Sequence, residues 1–528
     1  MKLPKAIMVL TSLRLTVATL ALSLVVVFLG TLAQEPLGQK IAVDRFFKSF
    51  FVDQVGMEAA LNKTAQIFGA STDPIPPERI LGDRRWPVFP GGYLLGVVLL
   101  ANLGGAYVAR FSLSWKKGGI LLIHTGVLAL LLGQLLTDLL SEESFIHMER
   151  GDRRGYSVSF DNNELVFLSR TSDATNQVVA LSENLLRQTN TITTADLRGL
   201  TIVPRRYWPN AAPKSAKQFA DWFAAQQAER FTGKERRKVQ LERRGELNGG
   251  EKLELDELRG SLPELQQRQF FAQFFASDFY PGRATKETAA ELRQLLADFK
   301  KRVEEAPLPR DNPGTFKPAL VAMLDEWDAL AGKYQVEVST GRLGDFYKFV
   351  VPLPPALAND QRNIPAAVIE ITTNDGNKST WLVSAQAELT QPVGDGQWHL
   401  ALRHTRHYTP HTLTLVDLQY QKYPGTEIPK NFESTVLLEN PAGGKDAAEG
   451  VSLTKRISMN QPLRHGGLTY YQFQMNQNQL GSTSQTVLQV VRNPGWLTPY
   501  FGCLMVASGL LYQFLYHLVG FARRRGET

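Results

Sequence analysis

Four stretches of the chain carry no charge over a length that suits a bilayer: 15–33, 86–109, 118–137 and 493–522, of which about twenty residues from Tyr500 suffice. A helix of about twenty apolar residues spans the hydrocarbon core, so each predicts a transmembrane helix. Elsewhere the pattern changes period. Ile369 and Ile371 alternate with Glu370 and Thr372, Leu413 and Leu415 alternate with Thr412 and Thr414, and "TVLQVV" at 486–491 leads toward the last apolar stretch. Such two-residue periods predict strands of an antiparallel sheet. From about 214 to 333 the spacing is helical: Leu292, Leu295, Leu296, Phe299 and Val303 share one face, and Leu320, Met323, Leu324 and Trp327 another. The run 233–260 mixes both charge signs at helical spacing around Asn248-Gly249-Gly250, which predicts a solvated helix pair with a turn.

Charge orients these elements. Lys2, Lys5 and Arg14 precede the first span, Arg110, Lys116 and Lys117 separate the second from the third, and Arg523, Arg524 and Arg525 follow the last. The positive-inside rule puts all three groups in the cytoplasm. The expected order is a cytoplasmic N-terminus (1–14), TM1 (15–33), an outer loop (34–85), TM2 (86–109), a cytoplasmic loop (110–117) and TM3 (118–137). An outer β-rich domain (138–492), TM4 (497–520) and a cytoplasmic C-terminus (521–528) complete it. The fold class is thus an integral membrane α-helical protein with four transmembrane helices and a large extracytoplasmic antiparallel β-rich domain. That domain carries a helical insertion at about 206–333. "GTLAQ" at 30–34 has the small residues of a signal-peptidase site, but a retained first helix keeps the span count even, as the charges require.

Composition agrees with both parts: of 528 residues, 43% are hydrophobic and 21% charged. The net charge of +7 does not point to nucleic acid, because the basic residues crowd beside the spans. Cys503 is the only cysteine, which excludes an internal disulfide, a Cys-x-x-Cys pair and a cysteine zinc site; thiol chemistry belongs to a partner.

Two of the eight histidines fall inside spans. His124 lies seven residues past Lys117 and His517 six before Arg523, so at about 1.5 Å per residue both are expected at one depth, roughly 10 Å inside the cytoplasmic boundary. An ionisable side chain in a span is a functional candidate, and a neutral imidazole in an apolar site is a suitable haem-iron ligand, though also a proton-relay or helix-packing group. His517 is near enough to a helix end to reach the interface. Outside the spans, His399, His404, His407 and His411 cluster in "WHLALRHTRHYTPH". A strand points His404 and His407 to opposite faces, and Pro410 is expected to break regularity before His411, so no metal site is assigned. His147 and His465 read as ordinary surface or turn residues.

Several phrases together resemble the ResB/CcsB family of System II cytochrome c maturation: "TSLRLTVATLALSLVVVFLGTLAQE" (11–35), "LLANLGGAYVAR" with Asn102 (99–110), "YPGTEIPKNFESTVLLEN" (423–440), "ISMNQPLRHGGLTYYQFQM" (457–475) and "RNPGWLTPYFGCLMVASGLL" (492–511). The resemblance covers the first 140 residues and about 335–525. It implies a multi-pass protein of the bacterial cytoplasmic (inner) membrane that acts with a CcsA-type partner to carry haem outward and attach it to apocytochrome c. Haem b would be held in passage and shared with the partner. His124 matches the family's membrane histidine and is the implied axial ligand, with His517 an alternative ligand. No catalytic residue and no metal other than haem iron are assigned. A thioredoxin-like thiol reductant is a further implied partner. No tryptophan-rich haem-handling segment is present, so the chain resembles a non-autonomous subunit of a cytochrome c haem lyase. Two rivals are a membrane b-type cytochrome using His124 and His517, and a membrane-anchored scaffold or sensor.

Overall fold

The computed structural model describes residues 10–526 apart from 71, 73–74, 76–78, 81–84, 110–113, 171–175, 189, 198, 245–246, 275, 277–297, 299–300, 302–304, 306–315, 357–360, 387–388, 395, 427–428, 441–451 and 478–482. Arg110 and the helical face expected on Leu292, Leu295, Leu296, Phe299 and Val303 lie outside the described residues. The chain divides into two units: residues 1–161, 356–362 and 405–528 form the first, and 162–355 with 363–404 the second. The segment 138–492, expected as one domain, is therefore shared between them.

The first unit opens with α1 (Leu13–Leu37), capped by the Ser12 hydroxyl, which accepts from the Leu15 amide at 3.2 Å. Hydroxyls along this apolar helix donate back to carbonyls four residues earlier, as Thr19 does to Leu15 and Ser23 to Thr19, both at 2.8 Å. Such bonds satisfy polar groups where no water is at hand. Strand β1 (Phe51–Asp53), which leads into α2 (Gln54–Ile67), pairs antiparallel with β2 (Pro87–Pro90), Phe51 opposite Pro90. The second apolar stretch therefore enters as strand, and helix α3 covers only Gly92–Ala109. Proline has no amide hydrogen to give a helix, and Pro87 and Pro90 fit an edge strand.

Among the described residues, three helices are long and apolar enough to cross a membrane: α1, the helix Trp115–Leu140 that contains α4 (Gly118–Leu140), and Thr498–Arg525 within α8 (Thr498–Gly526). The helix Gly92–Tyr107 is apolar but shorter. Helices α4 and α8 pack along a glycine seam. A Cβ on Gly119 would lie 2.7 Å from the Gly509 carbonyl, and one on Gly126 2.8 Å from the Gly502 carbonyl and 2.7 Å from Val506. Glycines seven residues apart return to one face every two turns, so the two backbones approach closely from Gly119 and Gly509 to Gly126 and Gly502. Asn102, buried in α3, accepts from Thr16 at 2.6 Å and donates to the carbonyls of Leu10 (2.6 Å) and Ser12 (3.1 Å), bolting α3 to the start of α1. Strand β3 (Glu142–Glu149) follows α4 directly.

Strand β4 (Arg153–Arg170) begins in the first unit and ends in the second, where it pairs with β5 (Asn176–Ser182). There β6 (Leu200–Trp208), β9 (Ala366–Thr373) and β10 (Lys378–Ser384) form an antiparallel sheet in the order β10-β9-β6, and β7 (Ala211–Lys214) pairs with β8 (Phe349–Pro352). Strand β11 (Gln391–Val393) pairs with the start of β12 (Trp398–Lys422). Ile369 and Ile371 point into a core with Leu165, Phe167, Ile202 and Leu400, the face their alternation indicates. The helices begin at Ala216 rather than near 206, because Pro204, Pro209 and Pro213 interrupt a helix and Tyr207 and Trp208 favour strand.

Helix α5 (Ala216–Glu242) starts at a capping box in which Ser215 and Gln218 each bond the other's backbone amide. Its Phe219 and Phe223 pack on Met323, Leu324 and Trp327 of α7 (Phe316–Tyr334), the apolar face that helical spacing marks. Helix α6 (Gly249–Phe274) is capped by Asn248 and pairs with α5 through Arg237–Glu254 and Arg259–Glu242.

In the first unit, the rest of β12 joins β13 (Pro429–Glu439), β14 (Ser452–Ser458), β15 (Leu463–His465), β16 (Leu468–Gln477) and β17 (Thr483–Arg492). The strand order is β14-β13-β12-β4-β3-β17-β16-β15. Leu413 and Leu415 bury with Ile146, Met148, Val436, Leu438, Leu488 and Val490. Ser434, Gln472 and Thr486, far apart in that order, meet in a buried hydrogen-bond network, so the sheet curls until β13 faces β16 and β17. A closed network of this kind satisfies each polar group it buries.

Candidate functional site

His124 stands on α4 with its ring exposed to a groove of about 310 Å³. The groove lies between α4, α3 and the start of α1, with Asn102 and Tyr107 on one wall and Leu121 and His124 on the other. The ring Nδ1 is 2.8 Å from the Ile120 carbonyl. A carbonyl only accepts, so this contact assigns the proton to Nδ1 and leaves the lone pair on Nε2. Two bonds make the surrounding frame rigid: Thr125 donates to the Tyr107 hydroxyl at 3.2 Å, and Asn102 ties α3 to α1. His124 therefore has a local partner for one nitrogen, which its apolar neighbours in sequence do not reveal.

His517 is elsewhere. Its Nε2 accepts from the Gln513 amide at 2.9 Å, and its side chain is exposed on α8. The glycine seam supplies the register: Gly119 meets Gly509 and Gly126 meets Gly502, so a step forward on α4 is a step back on α8, and residue 504 is level with His124. His517 lies thirteen residues further on, roughly 20 Å at about 1.5 Å per residue. The expectation of matched depth fails, because distance from a flanking charge is a poor ruler when α8 runs on well past the end of its partner helix.

Two further expectations are corrected in the first unit. Strand β12 continues through Pro410, an exposed position where a missing amide hydrogen leaves no buried group unpaired. His411 is consequently in register, 2% exposed, with Nε2 2.6 Å from the Tyr470 hydroxyl. His465 is not a solitary turn residue: its ring meets His411 edge-on with centroids 4.7 Å apart, and Nε2 is 3.3 Å from Asn440 Oδ1. Burial, assisted by His465, pushes the His411 pKa down to about 4. Desolvation disfavours the imidazolium, so His411 is a neutral core group. Among the described residues, no three His, Cys, Asp or Glu side chains are grouped to hold a metal.

One cluster has no counterpart in the sequence reading. Along α4, Leu131, Leu135 and Asp138 continue the stripe of His124 at spacings of three and four, and with Tyr93, Val97 and Leu100 of α3 they line a second cavity of about 500 Å³. At its end Tyr93 donates to Asp138, and Lys48 Nζ lies 2.7 Å from Asp138 Oδ1. The available signal is Asp138 itself, the first acid after twenty uncharged residues.

Residues 371–487, from β9 to β17, match the ResB-like family. The chain is also 29% identical over 106 residues to Protein NrfI of Wolinella succinogenes, a stretch that covers 20% of this chain. It covers 11% of that relative, so the chain spans about a ninth of the relative's length. Both are similarities of part of the chain, and the family match does not reach His124. Over residues 371–487 this chain is similar to the ResB-like family.

Proposed function

We propose that the chain is a ResB-type subunit of a System II cytochrome c maturation complex. It crosses the bacterial cytoplasmic membrane four times with both termini inside, and it works with a CcsA-type partner in haem delivery and covalent attachment to apocytochrome c. The observation that carries the reading is the His124 imidazole, whose Nδ1 is engaged by Ile120 while its ring faces a groove lined largely by apolar side chains.

That donor suits haem iron, because a neutral imidazole with its other nitrogen hydrogen-bonded is oriented and made more basic. When bound, haem supplies the iron for axial ligation and the vinyl groups that take up cytochrome thiols. The chain's own part is positional. Ile120 fixes the tautomer of His124, and Asn102 and Tyr107 hold the helices that frame the ring. The glycine seam holds α4 against α8, and Leu103 and Leu121 give the groove hydrocarbon wall. Other proteins would supply the remaining iron ligand and the thiols, with a thioredoxin-like reductant keeping the thiols reduced. A b-type cytochrome with His124 and His517 on one haem is disfavoured by their offset of roughly 20 Å along the packed helices.

The test is co-expression with a CcsA-type partner and a reporter apocytochrome in cells lacking their own maturation system. The expected result is attachment by the wild type, its loss in His124→Ala, and recovery in His124→Gly with added imidazole. Full attachment by His124→Ala would sink the ligand role.

A further inference from the structure

The groove at His124 has a charged end. Lys117 lines it too, seven residues before His124 and therefore about two turns, roughly 10 Å, toward the N-terminus of α4. Between them the wall is Ile120 and Leu121, faced by Leu103 of α3. The groove thus offers a nitrogen donor at one level, hydrocarbon beside it and an exposed ammonium at its mouth.

We propose that Lys117 is a specificity-determining residue that selects a planar tetrapyrrole bearing free carboxylates and sets which edge enters last. This rests on the ligand role of His124. With the metal at His124, an apolar macrocycle that follows the hydrocarbon wall brings one edge to Lys117, and the edge that gains from an ammonium is the one carrying carboxylates. The opposite edge, which carries vinyl groups, then points along α4 toward the stripe of Leu131 and Leu135 and away from Lys117. A lysine suits this task because its flexible stem places a point charge at an interface while its methylenes cover apolar wall. The alternative, that Lys117 only orients the helix in the membrane, predicts no dependence of binding on the ligand's carboxylates.

The experiment uses the full chain in lipid nanodiscs, titrated with haem b and with its dimethyl ester in the absence of added imidazole. Soret absorbance reports both affinity and ligation. Wild type should bind haem b about tenfold more tightly than the diester, as expected for one partly shielded ion pair. Lys117→Gln should lose that preference without moving the Soret maximum, and Lys117→Arg should keep it. An undiminished preference in Lys117→Gln, with the His124-dependent Soret band intact, overturns the role of Lys117 alone. A wild-type spectrum indistinguishable from that of His124→Ala overturns the ligand role, and this inference with it.

Discussion

Gly126 is the position where one added methyl group tests the architecture of the membrane helices. A Cβ there would lie 2.7 Å from Val506 Cγ2, 2.8 Å from the Gly502 carbonyl and 3.0 Å from the Val506 amide nitrogen. Ordinary contact begins near 3.4 Å, so α4 and α8 must separate by more than half an ångström. Two of the three obstacles are backbone, which no rotamer change relieves. Overpacking of this kind costs about 1–3 kcal/mol. Gly96 is the control, since a Cβ on it meets nothing within 4 Å, and alanine there gains up to about 1 kcal/mol of helix propensity. Unfolding of the purified chain by SDS titration in mixed micelles, followed by circular dichroism, should rank Gly126→Ala below wild type and Gly96→Ala at or above it. Equal stability of Gly126→Ala and wild type would refute the seam, and with it the register that separates His124 from His517.

Three other outcomes follow from buried polar groups. Arg403 and Glu164 pair at 2.9 Å with side chains under 10% exposed, so Arg403→Met alone should cost about 3–5 kcal/mol by stranding the carboxylate, whereas Arg403→Met with Glu164→Leu should recover most of it in denaturant unfolding. His411 has its pKa pushed from 6.5 down to about 4, so the unfolded chain takes up a proton before the folded one. Its contribution is present above pH 6.5 and is lost as pH falls toward 4; thermal unfolding should steepen across that window, and His411→Gln should flatten the dependence. Asn102→Leu leaves the Thr16 hydroxyl and the Leu10 carbonyl without its amide and should cost about 1–3 kcal/mol in the same SDS titration.

Much of the candidate site was legible because it rests on local pattern. His124 is conspicuous for being ionisable in an apolar run, and the strand that carries Ile369 and Ile371 follows from their alternation with Glu370 and Thr372. The Tyr93–Lys48–Asp138 cluster was not legible, since its members come from three segments, and neither was His465, whose partner His411 is 54 residues earlier in the chain. A proline in the middle of a histidine-rich phrase also misled, because an exposed position in a strand tolerates what a buried one does not.

The sequence by itself determined which segments are apolar enough for a membrane, where the charges lie, and which residues face a core, because hydrophobic periodicity is a property of neighbours along the chain. Only the tertiary structure decided the register of α4 on α8, the curl that joins Ser434 to Gln472 and Thr486, and the carbonyl that assigns a tautomer to His124. Those features depend on distances between atoms from different turns or elements, and spacing along a sequence carries the direction of a side chain but not the position of what it meets.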